Sequence, residues 1–252
     1  MNDPRWLPLT GAENVRDLGG LPLSNGGYTR SGVLIRSDTL QELTAEDVAY
    51  LRDLGLRTVI DLRTPIEATR EGRGPLVDEP IEYANLPFMP DELLVPGHDQ
   101  ARDLIVAERR EQDRVHHYLN YLTYAGDRVL GAVQIMASPE GTPAIFHCAA
   151  GKDRTGVLAA LVLDAVGVER EAVIADFALT NERLERVGTR LRRMSTYANY
   201  TGTLTLGEMG ADPQTMKDVL ASLDQEFGGA AGWLRSAGLT QAELESLTAA
   251  LT

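Results

Sequence analysis

Ten consecutive residues hold the reactive side chains of this chain: His147-Cys148-Ala149-Ala150-Gly151-Lys152-Asp153-Arg154-Thr155-Gly156. Five residues separate the thiol from Arg154, with an apolar run on either side. A short loop between a strand and a helix N-terminus aims successive backbone N–H groups inward, and the helix dipole adds positive potential, which together make a site for a phosphoryl group. The expected phosphate cradle is Ala149, Ala150, Gly151, Lys152, Asp153 and Arg154, the last supplying a planar fork that grips two oxygens at once. The same surroundings stabilise a thiolate, so Cys148 is expected to act as a nucleophile at neutral pH. In-line attack would form a phosphocysteine that water then hydrolyses, with Arg154 and the amides holding the equatorial oxygens in both steps.

Cysteine with arginine six positions on is weak alone, since a given residue type occurs by chance about one time in twenty. The histidine, glycines and threonine at fixed offsets reduce coincidence to about one in a million, which makes a buried structural thiol the poorer reading. His147 is expected to support the loop, with a satisfied core histidine as the alternative. Gly151 suits a positive φ. Thr155 offers a hydroxyl to the thiolate, to the phosphate or to the helix as a cap. Two carboxyl groups compete as the general acid. Asp153 lies inside the cradle and is favoured. Asp61, at the end of an expected strand, is an alternative acid or supporting group unless it forms a structural ion pair with Arg63 or Arg16. Lys152 adds a second positive charge suited to a further phosphate, or stands as a solvated lysine.

The rest of the composition narrows the chemistry. With one cysteine in 252 residues there is no intramolecular disulfide, no cysteine-rich zinc site and no resolving thiol, so arsenate-reductase chemistry is poorly supported. No metal or cofactor is called for. A net charge of -13 opposes non-specific attraction to nucleic acid and to anionic lipid. No apolar run approaches the roughly 20 residues of a membrane span. The first residues lack a basic and an apolar region, so the expected location is the cytoplasm, with export by a non-classical route left open.

These groups need a scaffold. The stretches 31–37, 57–62, 81–86 and 143–147 read as strands, the last running into the cysteine. Thr44 with Asp47 starts a helix that Gly55 stops, so the first two strands form a strand-helix-strand unit and an expected parallel pair. Helices are expected at 155–166, 170–179, 181–194, 213–227 and 240–251, with Asn181 as an N-cap and Asp212 capping before Pro213. The expectation is one domain over 1–252. Its least regular part is 87–124, where a charged stretch at 99–114 is either a lid over the site or a solvated face. Tyr118, Tyr121 and Tyr124 fall at helical spacing and read as core packing.

The cradle and several further blocks resemble the atypical bacterial tyrosine and dual-specificity phosphatases of the mycobacterial protein tyrosine phosphatase B type. Those blocks are Asn14-Val15-Arg16-Asp17-Leu18-Gly19-Gly20, Leu34-Ile35-Arg36-Ser37, the run from Gly55 to Arg63, and Leu163 to Val168 with Asp176 following. Ala149 stands where that family is expected to carry phenylalanine. The resemblance implies an α/β fold, a central, mostly parallel sheet of four to five strands flanked by helices, with a helical lid within 88–124. It also implies activity on phosphotyrosyl protein, with phosphoserine/threonine and phosphoinositide as further substrates, and it supports Cys148, Arg154, Asp153, Lys152 and Asp61 as site residues. Two other readings stay open: a rhodanese-like sulfurtransferase, against which Arg154-Thr155-Gly156 argues, and a phosphopeptide-binding module without turnover.

Overall fold

The computed structural model describes residues 3–89, 111–197 and 210–252. In chain order the strands are β1 (Arg16–Asp17), β2 (Leu34–Ser37), β3 (Thr58–Asp61), β4 (Glu82–Asn85) and β5 (Ala144–His147). The helices are α1 (Ala45–Asp53), α2 (Pro65–Glu71), α3 (Glu111–Tyr124), α4 (Gly126–Ala137), α5 (Asp153–Ala165), α6 (Arg170–Leu179), α7 (Leu184–Leu191), α8 (Pro213–Phe227), α9 (Ala230–Ala237) and α10 (Gln241–Leu251). None is long and apolar enough to cross a membrane.

The five strands form one sheet in the order β1-β2-β5-β3-β4, with β1 antiparallel and the others parallel. The expected pair, β2 and β3, is parallel but not adjacent, because β5 lies between them. β5 is buried on both faces and therefore needs a neighbour on each side. Alternation along the strands divides the core. Leu34, Ile60, Ala144 and Phe146 join the larger cluster, with residues of α3 to α6 and α8 to α10, whereas Ile35, Val59 and Ile145 face Val48 and Leu51 of α1 and Leu76. The strand that leads into the thiol is thus the central one of the sheet.

Local signals account for most boundaries. Thr44 accepts from the Asp47 N–H while Asp47 accepts from the Thr44 N–H, and Gly55 follows at φ +82°. Asp212 caps α8 ahead of Pro213, and Thr240 caps α10. Helix α5 begins at Asp153 rather than 155, which places Asp153 and Arg154 in its first turn. The expected helix at 181–194 is instead a 3-10 turn, Thr180–Arg183, followed by α7. Asn181 does not cap it, because its side chain exchanges two 2.8 Å hydrogen bonds with the backbone of Ala211. Helices α2, α4 and α9 had no sequence expectation. Most of the expected charged stretch and lid, residues 90–110, lies outside the described residues. In α3, which follows, Tyr118 and Tyr121 are buried as expected, while Tyr124 is 72% exposed.

The edge of the sheet carries an unusual charge arrangement. Arg16 and Arg36 are directly opposite each other on β1 and β2 and fully buried, a like-charge pair that would repel. Asp176 from α6 resolves it, accepting from Arg16 Nε at 3.0 Å, Arg36 Nη1 at 2.7 Å and Arg5 Nη1 at 2.8 Å. Burial opposes the Asp176 charge, but the three guanidinium groups more than offset this and hold its carboxyl far below the usual range. Burial and then repulsion from Arg36 bring Arg16 down to about 9. Asp176→Asn is expected to destabilise the protein by roughly 3–5 kcal/mol, the cost of leaving buried charge uncompensated; urea unfolding at neutral pH measures it.

Candidate functional site

Residues 147–156 leave β5 and enter α5, and the carbonyls from His147 to Lys152 each have a partner, four of them in the surrounding scaffold. The His147 carbonyl accepts from the Leu62 N–H, that of Cys148 lies 3.1 Å from His147 Nδ1, and that of Ala149 accepts from the Thr39 N–H. The Ala150 carbonyl accepts from Asn14 Nδ2 at 2.9 Å, that of Gly151 from Asn14 Nδ2 at 3.1 Å and Arg36 Nη2 at 2.7 Å, and that of Lys152 from the Gly156 N–H. In a trans peptide the N–H points opposite to the preceding carbonyl. Carbonyls drawn outward to the scaffold therefore turn the following N–H groups inward. Among the described residues nothing accepts from the N–H groups of Ala149, Ala150, Gly151, Asp153, Arg154 or Thr155, the last three being the unpaired first amides of α5. Amides left unpaired in this way can together receive an anion.

Gly151 has φ +66°, and a Cβ there would lie 2.6 Å from the Asp38 nitrogen, so glycine is required by conformation and by space. Asp38 accepts from the Glu13 and Asn14 N–H groups, and so fixes the segment that presents Asn14. Ala149 is buried among Val187, Leu191, Met194 and Tyr197.

Arg154 is oriented by a residue the sequence reading did not single out. Glu67 of α2 accepts from Arg154 Nη1 at 2.6 Å and Nη2 at 2.9 Å, and also from Tyr197 Oη at 2.6 Å and the Thr64 N–H. Since Glu67 takes the Nη1–Nη2 end of the guanidinium and the Leu62 carbonyl takes Nη1, the fork left for an oxyanion is the Nε–Nη2 edge. Burial opposes the charge of Arg154, but Glu67 outweighs it and raises the pKa well above its ordinary value. The capping box Thr64-Pro65-Ile66-Glu67 was the available signal, since its acid both starts α2 and reaches Arg154.

The two candidate acids differ sharply. Asp61 is fully buried and accepts from Arg63 Nε at 2.9 Å, Arg63 Nη2 at 2.7 Å and Tyr83 Oη at 2.9 Å. Burial opposes its charge, but His147 and Arg63 bring it down to about 2. Both Asp61 oxygens already accept from Arg63, and Oδ2 from Tyr83 as well, so neither is left to carry a proton, and the structural ion pair with Arg63 is the reading the geometry supports. Arg16, the other partner considered for it, pairs with Asp176. Asp153 sits at the mouth of the cradle, where Oδ1 accepts from Tyr118 Oη at 2.6 Å and lies 3.3 Å from Lys152 Nζ. Burial pushes its carboxyl up, while Lys152, Tyr118 and His117 together pull it below its ordinary value.

Cys148 is 2% exposed. His147 is buried beside Asp61, with burial pushing its imidazole toward the neutral form. The Thr155 hydroxyl, also buried, has no hydrogen-bond partner among the described residues, so it neither caps α5 nor bonds the sulfur.

A model of the tyrosine phosphatase family matches residues 7–252. The triple specificity protein phosphatase PtpB of Mycobacterium tuberculosis is 30% identical over 276 residues, covering 96% of this chain and 98% of that protein. A tyrosine-protein phosphatase of Nostoc commune is 27% identical over 84% of this chain and 72% of its own length. Among solved structures, Pseudomonas aeruginosa TpbA aligns over 76% of this chain and 89% of its own with 17% identity and a TM-score of 0.32, too distant a likeness to carry an argument.

Two measurements follow from these contacts. Glu67→Gln is expected to lower kcat/KM by about 10–100-fold, the usual range for a group that orients a ligand without touching substrate; steady-state kinetics and affinity for inorganic phosphate would report it. Asp61 has a folded pKa below its unfolded value of 3.8, so its stabilisation is complete above about pH 4 and is lost as pH falls through 2. Replacing it with asparagine is expected to flatten the acid unfolding curve across that interval.

Proposed function

Because this chain belongs to the tyrosine phosphatase family, we propose that it hydrolyses phosphotyrosyl protein through a phosphocysteine on Cys148. The observation that carries this reading is the set of inward amides and the held Arg154 fork around a single thiol at the end of the central strand. The Cys148 thiolate attacks phosphorus in line with the leaving oxygen. An S–P bond forms, the P–O bond breaks, and the departing phenol takes its proton from Asp153. Asp153, now a carboxylate, then accepts a proton from the water that attacks the phosphocysteine, releasing inorganic phosphate and restoring the thiolate. Throughout, the amides and Arg154 face oxygens whose charge shifts toward the transition state.

A thiol only 2% exposed favours a phosphate carried on a long stem, hence phosphotyrosine over phosphoserine. Activity on phosphoserine/threonine and phosphoinositide is the wider reading, supported by the name of the mycobacterial relative as a triple specificity phosphatase and by Lys152 at the cradle's rim. Cys148→Ser is expected to lower hydrolysis of p-nitrophenyl phosphate by roughly 10³-fold or more. EDTA is expected to leave the wild-type rate unchanged, since the chain supplies every positive group the mechanism uses. Undiminished turnover by the serine variant would sink the mechanism, and thiocyanate formation from thiosulfate and cyanide without phosphatase activity would favour sulfur transfer. Side-by-side kinetics on phosphotyrosyl peptide, phosphoseryl peptide and phosphoinositide test the substrate order, in which the phosphotyrosyl peptide is expected first.

A further inference from the structure

Asp153 has two oxygens, and the structure treats them differently. Oδ1 receives the Tyr118 hydroxyl at 2.6 Å and the Lys152 ammonium at 3.3 Å, whereas Oδ2 accepts no hydrogen bond among the described residues. An oxygen that already accepts a short hydrogen bond and faces an ammonium is a poor place for a proton, so the acid proton belongs on Oδ2. We propose that Tyr118 is the positioning residue of the general acid: by donating to Asp153 Oδ1 it fixes the carboxyl plane and leaves Oδ2 as the oxygen that protonates the leaving group. This rests on the reading of Asp153 as that acid.

The hydroxyl is well placed for such a role because its ring is packed from several directions. Tyr118 is buried, stacks on Tyr121 with centroids 6.1 Å apart and meets the ring of Phe177 edge-on at 6.0 Å. Tyr121 is itself bonded to His117 at 2.6 Å. Phe177 also lies against α5, where a Cβ on Gly156 would come within 2.8 Å of it. Helices α3, α5 and α6 therefore fix the distance between Tyr118 Oη and the first residue of α5.

The bond to Tyr118 persists through both chemical steps. When Oδ2 carries a proton, Oδ1 is the carbonyl-like oxygen and still accepts from Tyr118. As the P–O bond breaks, its electron pair goes to the leaving oxygen, the Oδ2–H bond breaks and the leaving oxygen gains the proton. The carboxylate that results holds the same orientation for the water step.

The test is the dependence of rate on the leaving group. p-Nitrophenolate departs with little help from an acid, whereas phenolate needs the proton. Tyr118→Phe keeps the ring packing and removes only the hydroxyl. It is expected to lower kcat/KM for phenyl phosphate by about tenfold, part of the roughly 10²–10⁴ that acid catalysis supplies, while p-nitrophenyl phosphate changes less than about twofold. Comparing two substrates on one preparation cancels any loss of folded enzyme. In an Asp153→Ala background the same substitution is expected to leave the ratio of the two rates unchanged. Equal losses on both substrates, or an effect that survives without Asp153, would overturn the proposal. If Asp153→Ala alone does not make the rate more sensitive to the leaving group, the acid assignment fails and this inference with it. If Asp153→Ala does so and Tyr118→Phe does not, only the role of Tyr118 is overturned.

Discussion

Four carbonyls of the cysteine loop, those of His147, Ala149, Ala150 and Gly151, are held by donors outside the loop, and the proposed function depends on that constraint. Peptide planarity turns each outward carbonyl into an inward N–H at the next residue. The donors that hold the carbonyls come from well-separated parts of the chain: Asn14 before β1, Arg36 on β2, Thr39 after β2, and Leu62 after β3. Strand order explains how they converge. With β5 between β2 and β3, the loop leaving its C-terminal end is flanked by the ends of both neighbours, as expected for sites at the carboxyl edge of parallel sheets.

Charge is arranged with the same economy. The chain carries a net charge of -13, yet Arg16 and Arg36 are buried behind the cradle with Asp176 between them, and Arg154 lies in front of it. The carboxylates that meet these arginines are committed: Asp176 to Arg16 and Arg36, Glu67 to Arg154, and Asp61 to neighbouring Arg63. An isolated acid would cancel the field meant for phosphate, whereas one already paired orients its arginine and leaves the opposite edge of the guanidinium available. Asp153 differs, since its cation, Lys152, is joined by a neutral hydroxyl and its Oδ2 accepts nothing among the described residues.

Much of this was legible in the sequence because it is local. Strand, thiol loop and helix follow one another without a gap, and the caps at Thr44, Asp212 and Thr240 lie within three residues of the groups they satisfy. The position of β5 between β2 and β3 was not legible, since strand order depends on how the crossovers pack and no short motif encodes it. Asn181 looked like a cap because capping is the commonest local use of asparagine, but the backbone of Ala211, thirty residues on, claimed it. Glu67 and Tyr118 were missed for the same reason. They act on Arg154 and Asp153 across 87 and 35 residues of chain, and their own neighbours read as a helix cap and a core tyrosine.

That double reading reflects how the site is held. Glu67 caps α2 by accepting from the Thr64 N–H with Oε2 and orients Arg154 with Oε1 and Oε2, so the start of a helix and the arginine fork share one carboxylate. Tyr197 bonds that carboxylate, while Glu71, one turn further along α2, accepts from Ser195 and Thr196. Helix α2 is thereby fastened both to the arginine of the cradle and to the chain that packs on Ala149. A shift of α2 could not leave Arg154 behind, because a charge-assisted pair with both partners buried loses far more on separation than an exposed one. The geometry of the fork is thus set by secondary-structure placement, and the side-chain entropy that a long arginine would otherwise retain is removed before any phosphate arrives.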